Sequence, residues 1–141
     1  MFSSTVEYAL HAMAQLASEN TAFSTVQQIA KKTRISPPYL AKVFQDLGRA
    51  GLITARRGRN GGVKLARPAH RISLLDVVAA VGPMYRSMEP LNGSAKTSLG
   101  RLDARLDSFR KTLRKQLAMV TLAEAYTGGG RPKQKQGLRA S

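Results

Sequence analysis

The chain has 141 residues, of which 43% are hydrophobic, enough to build one modest core. Lysine and arginine number 23 against 8 acidic residues, and the resulting net charge of +15 indicates a polyanionic partner. There is no cysteine, which excludes disulfides, zinc ribbons and cysteine-ligated clusters.

No apolar run reaches membrane-spanning length, and the N-terminal sequence lacks the basic segment of a signal peptide. We therefore expect a soluble cytoplasmic protein with no membrane partner. Residues 31–71 carry eleven lysines and arginines but a single acid, Asp46, whereas residues 1–30 carry two acids and no lysine or arginine. Net charge alone does not distinguish a DNA-binding protein from an RNA- or ribosome-binding one. The placement of the charge has to decide, and it is concentrated on residues 31–71.

Four helices are predicted from a shared N-terminal pattern. A serine or threonine is followed three residues later by glutamate, glutamine or aspartate, which is typical of a capping box. The boxes begin at Ser4, Ser24, Ser73 and Thr121. The first helix carries an apolar stripe of Val6, Leu10, Met13 and Leu16. The helix that begins at Ser24 is short and ends near Lys32. The helix that begins at Ser73 ends near Val81, and the helix that begins at Thr121 stops at Gly128.

Another helix follows a tight turn at residues 33–35. Ser36 is predicted to cap it and Pro37 to occupy its first position, where a missing backbone N–H costs nothing. The stripe expected to face the core is Leu40, Val43, Phe44 and Leu47. Tyr39, Lys42 and Gln45 lie off that stripe and can face a groove of DNA.

The next segment is typical of a hairpin wing, with strands over 52–56 and 63–66 and a loop over 57–62. Its glycines permit positive φ and let the backbone approach a phosphate closely. An ordinary hairpin is the plain alternative, whereas the Walker and GxGxxG patterns of nucleotide enzymes are absent. Arg57 and Arg59 flank a glycine and suit a narrow minor groove or a bidentate base contact. Helix and wing together predict a winged helix-turn-helix.

Residues 83–98 show no helical or strand period and are predicted to form a loop. A narrow apolar seam then recurs every three or four residues along a long helix. Its members are Leu99, Leu102, Leu106, Phe109, Leu113, Leu117 and Val120. Packing on its own domain is the alternative, but the winged domain already accounts for its core, so the seam favours a homodimer.

The expected fold class is mainly α with a small β wing. A winged helix-turn-helix domain is predicted over 1–82, followed by the loop over 83–98. A dimerisation helix and a short terminal helix are predicted over 99–127. Residues 128–141 are glycine-rich and basic and are predicted to form a disordered tail.

Several segments match one known family. Its wing motif, Arg-Gly-x-x-Gly-Gly, stands at 57–62 and is the most specific match. The other segments are Ser-Pro-Pro-Tyr-Leu at 36–40, Ala-Gly-Leu-Ile at 50–53, Leu-Ala-Arg-Pro at 65–68 and Ile-Ser-Leu-Leu-Asp-Val-Val at 72–78. Over about residues 1–126 the chain resembles the Rrf-type winged-helix regulators, the group that includes IscR and NsrR. The resemblance implies a homodimer joined through the long helix, acting as a repressor or activator at palindromic promoter sites.

By the same resemblance, five residues align with DNA-contacting positions: Ser36, Tyr39, Ala41, Lys42 and Arg57. The full set predicted to bind double-stranded DNA is Thr25, Ser36, Pro38, Tyr39, Ala41, Lys42, Gln45, Arg56, Arg57, Gly58, Arg59 and Asn60.

Many relatives hold an iron–sulfur cluster through three cysteines in the loop before the long helix. Here that loop has serines and no thiol, and the two histidines, His11 and His70, do not supply a site, so we expect no cluster, metal or other cofactor. The expected function is a homodimeric transcriptional regulator, foremost a repressor, whose effector (a small molecule or a protein) the sequence does not name. A basic RNA-binding or architectural protein is the alternative. An enzyme is not expected, because no nucleophile–base pair or metal cluster is visible.

Overall fold

A computed structural model of the chain describes residues 3–19, 22–82 and 100–128. The helices are α1 (Ser4–Ser18), α2 (Val26–Thr33), α3 (Pro37–Arg49), α4 (Leu74–Val81), α5 (Gly100–Met119) and α6 (Leu122–Gly128). Strands β1 (Ile53–Arg56) and β2 (Gly62–Leu65) pair antiparallel, and a 3₁₀ turn spans Ala69–Arg71. The mainly helical fold with a small β wing and a long C-terminal helix confirms the predicted class. The predicted loop over 83–98, Leu99 and the tail beyond Gly128 lie outside the described residues.

The core forms around α1, which contacts α2, α3, α4 and α6. The predicted stripe of α1 is buried at Val6, Met13 and Leu16 and half-buried at Leu10. Ala9 and Ala12 are fully buried on the same side, and their small side chains let the neighbouring helices approach closely. On α3, the predicted stripe is buried at all four positions, Leu40, Val43, Phe44 and Leu47.

Two predicted capping boxes are present as reciprocal hydrogen bonds. Ser73 Oγ accepts from the backbone N–H of Asp76 at 3.0 Å, and the Asp76 carboxylate accepts from the Ser73 N–H at 3.0 Å. Thr121 Oγ1 accepts from Glu124 N at 3.2 Å, and the Glu124 carboxylate accepts from Thr121 N at 3.1 Å. These boxes fix the starts of α4 and α6 as predicted.

The other two predicted boxes are wrong by one residue, in opposite directions. Ser3, not Ser4, caps α1, and its Oγ accepts from the backbone N–H of Val6 at 3.3 Å. Thr25, not Ser24, caps α2, in a complete box with Gln28. Ser24 cannot serve as the cap because its own backbone is paired elsewhere, with β2.

The wing strands pair with Ile53 opposite Leu65 and Arg56 opposite Gly62. The first strand starts one residue later than predicted, and the second lies one residue earlier. Residues alternate between the two faces of a strand, so Ile53 and Val63 are buried on the core face while Thr54 and Arg56 are exposed on the outer face. The wing is thus a hairpin with one apolar side anchored on the domain.

The C-terminal part joins the same core rather than forming a separate unit. Ser73 and Thr121 form an antiparallel bridge. Leu74 N donates to Val120 O at 2.9 Å, and Leu122 N donates to Ile72 O at 2.7 Å. Leu117 and Leu122 are both buried, and α6 packs on α1. No helix within the described part of the chain combines the length and apolarity needed to cross a membrane.

Candidate nucleic-acid interface

The solvent-facing side of α3 is made by residues spaced three and four apart. Pro38, Ala41, Lys42 and Gln45 are all exposed, and their spacing places them on one helical face opposite the buried stripe. Among the described residues, no carboxylate lies within ion-pair distance of Lys42. This face therefore offers the cation of Lys42 and the amide of Gln45 beside the small side chains of Ala41 and Pro38. Such a surface can lie close to the base edges in a groove of DNA.

The start of α3 leaves its cap residue available. Ser36 stands at the N-cap, but its side chain makes no capping hydrogen bond, and the residue is exposed. The preceding turn is closed by Arg34, which adopts the left-handed conformation at φ 64° after α2. In contrast, the hydroxyl oxygen of Thr25 is occupied by the N–H of Gln28. The two predicted contacts at the starts of α2 and α3 thus differ in how free their hydroxyls are.

The side chain of Tyr39 is tied to α1 by a hydrogen bond and a ring contact. Its hydroxyl hydrogen-bonds the hydroxyl of Thr5 at 2.5 Å. Its ring meets that of Tyr8 edge to face, with centroids 4.8 Å apart and planes at 89°. The residue is half-buried, so α1 fixes the orientation of the ring.

The loop of the wing presents Arg57, Gly58, Arg59 and Asn60, all exposed. Gly58 adopts φ +102° with open space around it, so only its backbone conformation favours glycine there. A Cβ on Gly62, at φ +135°, would lie 2.2 Å from the carbonyl oxygen of Ser24. A Cβ on Gly61 would lie 2.1 Å from the carbonyl oxygen of Arg56. At 61 and 62 the close approach that the sequence assigned to a phosphate is made to the protein's own backbone.

A third strand-like segment borders the wing. Ser24 N donates to Val63 O at 2.9 Å, and Val63 N donates to Ser24 O at 2.8 Å. Phe23 precedes this bridge, and its ring lies beneath two cations. The guanidinium carbon of Arg56 is 4.2 Å from the ring centroid, and Lys64 Nζ is 4.8 Å from it. The N–H of the Arg56 guanidinium also donates to Asn60 O at 2.7 Å.

Sequence reasoning missed Phe23, Ser24 and Lys64 as parts of this surface. The contacts join residues more than thirty positions apart, and no local period marks them. The one local signal is that Ser24 and Thr25 both satisfy a capping spacing, since two glutamines follow in tandem. The sequence alone therefore leaves the cap of α2 open between Ser24 and Thr25, and the long-range bridge from Ser24 to Val63 decides it.

The predicted dimerisation seam divides into two parts on α5. Leu102, Leu106 and Phe109 are exposed at 52%, 36% and 64% of their surface. Leu117 is buried at 7% exposure, and Leu113 packs against the same core. The predicted residue Val120 follows the helix, where its carbonyl oxygen accepts from Leu74 N.

Within the described ranges, no group of three or more histidine, cysteine, aspartate or glutamate side chains is placed to hold a metal. Both histidines, His11 and His70, are exposed, on α1 and in the 3₁₀ turn. Among the residues that the structure describes, one carboxylate has a perturbed pKa. A hydrogen bond from Lys32, at 2.6 Å, and another from Gln15 lower the pKa of Glu19 from its ordinary value of 4.5. This ion pair joins α2 to the residue that ends α1.

Comparison with known proteins identifies the family. The family model described as "Rrf2: Iron-dependent Transcriptional regulator" matches residues 2–128. Protein aau3 of Rhizobium meliloti (strain 1021) is 36% identical over 124 residues, which are 85% of this chain and 77% of aau3. A protein of Aquifex aeolicus (strain VF5), assigned as an HTH-type transcriptional regulator, is 37% identical over 86 residues. That alignment spans 61% of this chain and 60% of the relative's own length.

Solved structures share the fold. IscR of T. potens has a TM-score of 0.77 at 26% identity, with coverage of 97% of this chain and 93% of that one. CymR of B. subtilis, described as its global cysteine regulator, has a TM-score of 0.76 at 21% identity, covering 89% and 95%. The family and these structural neighbours are transcriptional regulators, not enzymes. The chain therefore belongs to the Rrf2 family of transcriptional regulators and has the winged helix-turn-helix DNA-binding fold that the sequence predicted.

Proposed function

We propose that this protein is a sequence-specific repressor that binds palindromic promoter DNA in the cytoplasm as a homodimer. The observation that carries the proposal is the exposed face of α3, formed by Pro38, Ala41, Lys42 and Gln45 and followed in the chain by a basic wing. In this geometry α3 enters the major groove, where Lys42 and Gln45 reach base edges. Ser36 and the backbone at its N-cap meet a phosphate.

The wing supplies the second contact. Arg57 and Arg59 project from an exposed loop, and among the described residues neither has a carboxylate within ion-pair distance. Arginine suits a narrow minor groove, where the negative potential is strongest. Gly58 and Asn60 keep the loop slim enough to follow it, and Thr25 and Arg56 flank the DNA backbone. Tyr39 contributes a DNA contact from the first turn of α3, in the orientation that α1 imposes.

The homodimer is supported by the exposed apolar residues of α5. Leu102, Leu106 and Phe109 recur on one helical stripe, and a monomer would leave this stripe in water. A second copy of the chain, related by a two-fold axis, covers it with the same residues. The two α3 helices then address half-sites about one DNA turn apart, or a multiple of it, which makes the site palindromic.

The protein works without an iron–sulfur cluster in this proposal. The family description names iron, but this chain has no cysteine to ligate it. The described residues also lack a group of three potential ligands, so they do not fit a metal centre. Its signal is therefore a small molecule or a protein recognised by other chemistry.

Selection of genomic DNA tests the proposal most directly. The full chain is incubated with fragmented genomic DNA at physiological salt with excess nonspecific competitor, and the retained fragments are sequenced. A few promoters sharing a two-fold-symmetric motif are expected, and transcription from them in vitro should fall when the protein is added. Random fragments whose retention disappears as salt rises would overturn sequence-specific regulation and favour an architectural or RNA-binding protein.

Replacement of Arg57 by alanine tests the wing. The residue is exposed, so the fold should be unchanged, and binding to the selected site should weaken by about 1–3 kcal/mol with relaxed preference at the wing-contacted base pairs. Arg105→Ala on α5 removes the same charge and is the matched control. Unchanged discrimination by the Arg57 variant would contradict the wing contact.

A further inference from the structure

The base of the wing carries a cluster of three side chains whose arrangement follows from strand register. Ser24 pairs antiparallel with Val63, so Phe23 stands opposite Lys64 on the next pair. Arg56 stands opposite Gly62 on the other edge of β2. Positions 62 and 64 share a face of β2, so Arg56, Lys64 and Phe23 all lie on the outer face of the wing, away from buried Val63.

Gly62 makes the cluster possible in two ways. Its missing Cβ lets the Ser24 carbonyl approach, which brings Phe23 alongside β2. It also leaves no side chain between Arg56 and Phe23 on the outer face, and the guanidinium carbon lies 4.2 Å from the ring centroid. Lys64 Nζ lies 4.8 Å from the same centroid. The ring is thus in contact with two like charges.

Two neighbouring cations repel each other, and a phenyl ring offsets only part of that repulsion. No carboxylate among the described residues pairs with Arg56 or Lys64. Arg56 uses one of its five N–H groups on Asn60 O, which leaves the others free. An open groove of about 410 Å³ is lined by Phe23, Thr25, Arg56, Arg59 and Asn60 among others, and a second open groove is lined by Lys64 and Arg67 among others. This concentration of unpaired positive charge beside an open groove fits an anion.

We propose that Phe23, Arg56 and Lys64 form a phosphate clamp that binds one DNA backbone phosphate at the base of the wing. Arg56 and Lys64 contact the phosphate oxygens, and Phe23 is a positioning residue that holds both cations toward it. The bond from Arg56 to Asn60 also couples this phosphate to the conformation of the wing loop. The clamp rests on the proposed DNA binding and adds Phe23 and Lys64 to the surface.

The test measures affinity and its salt dependence by fluorescence anisotropy, with a random-sequence 30-base-pair duplex as the probe. Arg56→Gln and Lys64→Gln should each flatten the plot of log affinity against log salt by about one per bound chain, because one phosphate contact is lost. Arg105→Gln removes the same charge from α5 and should leave the slope unchanged. Phe23→Leu keeps both charges and should weaken binding about two- to fivefold, while Phe23→Tyr keeps the ring and should bind like the wild type.

A double-mutant cycle tests whether Phe23 acts by positioning Arg56 and Lys64 or only by supporting the fold. Phe23→Leu should have no further effect when Arg56 and Lys64 are both already glutamine. An equal loss in that background, or wild-type binding by Phe23→Leu, overturns the clamp. If Phe23→Leu fails to fold by circular dichroism, Arg56→Lys, which keeps the charge but loses the planar stack, should show the same weakening with an unchanged slope. Wild-type protein that does not bind the duplex overturns the proposed function itself.

Discussion

Gly62 is the position where the wing depends most sharply on a missing side chain. In a Gly62→Ala variant the new Cβ would lie 2.2 Å from Ser24 O and 2.6 Å from Ser24 C, so the segment before α2 must move away. That movement breaks the two backbone hydrogen bonds between Ser24 and Val63, each worth about 1 kcal/mol. An alanine at φ +135° adds about 1–3 kcal/mol of backbone strain. We expect a total loss of about 3–5 kcal/mol, a large fraction of the stability of a small domain.

Gly58→Ala is the matched control, because Gly58 also has a positive φ but nothing within 4 Å of the added Cβ. It should cost only the strain, about 1–2 kcal/mol. Urea unfolding followed by far-ultraviolet circular dichroism measures both free energies of unfolding. Equal losses in the two variants would refute the argument, because the close approach to Ser24 would then contribute nothing.

Three further predictions concern a helix cap, the long helix and pH. Ser73→Ala should lower the free energy of unfolding by about 1 kcal/mol because it removes a capping box, whereas Ser36→Ala, at a cap without a side-chain bond, should leave it nearly unchanged in the same urea titration. Leu117→Ala should destabilise the fold by about 2–5 kcal/mol, since it empties a core site. Phe109→Ser should instead shift the proposed homodimer to monomer in sedimentation velocity, and a dimer that persists would contradict the proposed seam. Stability should also fall as pH drops below 4.5. The pKa of Glu19 is lowered in the folded state, so its ion pair with Lys32 stabilises the fold above pH 4.5 and is lost when the carboxylate is protonated. Glu19→Gln should flatten this part of the stability profile, and an unchanged profile would exclude the ion pair as its cause.

The parts of the fold that the sequence predicted are those set by short-range chemistry. The buried stripe of α3 follows from a 3.6-residue period, and its four core residues are all buried in the structure. The cap at Ser73 follows from one unambiguous box. The wing follows from a glycine-rich loop between two short apolar runs, with errors of a single residue at the strand ends.

What the sequence did not predict is set by contacts between distant residues. Ser24 and Thr25 each have a glutamine three positions on, so both satisfy the capping pattern, and the bridge from Ser24 to Val63 selects Thr25. The stack of Arg56 on Phe23 depends on the same bridge. The apolar residues of α5 form one uniform repeat in the sequence, yet those at its C-terminal end are buried in the domain core. The sequence could not predict this division, because a period shows that a helical face is apolar but not what covers it.

The junction between α4 and α6 gives α5 the mechanical character of a lever. The main-chain bonds of Leu74 and Leu122, together with buried Leu117, clamp one end of the helix to the domain, while Leu102 stands at the other end. Its 20 residues span about 30 Å at 1.5 Å per residue, so a tilt of about ten degrees at the clamped end moves the far end by about 5 Å. In the proposed homodimer, two such levers meeting at their far ends would convert a small rotation at either joint into a change in the distance between the two α3 helices. A group that rotates the joint without touching DNA would then set how well that distance matches the spacing of the proposed half-sites.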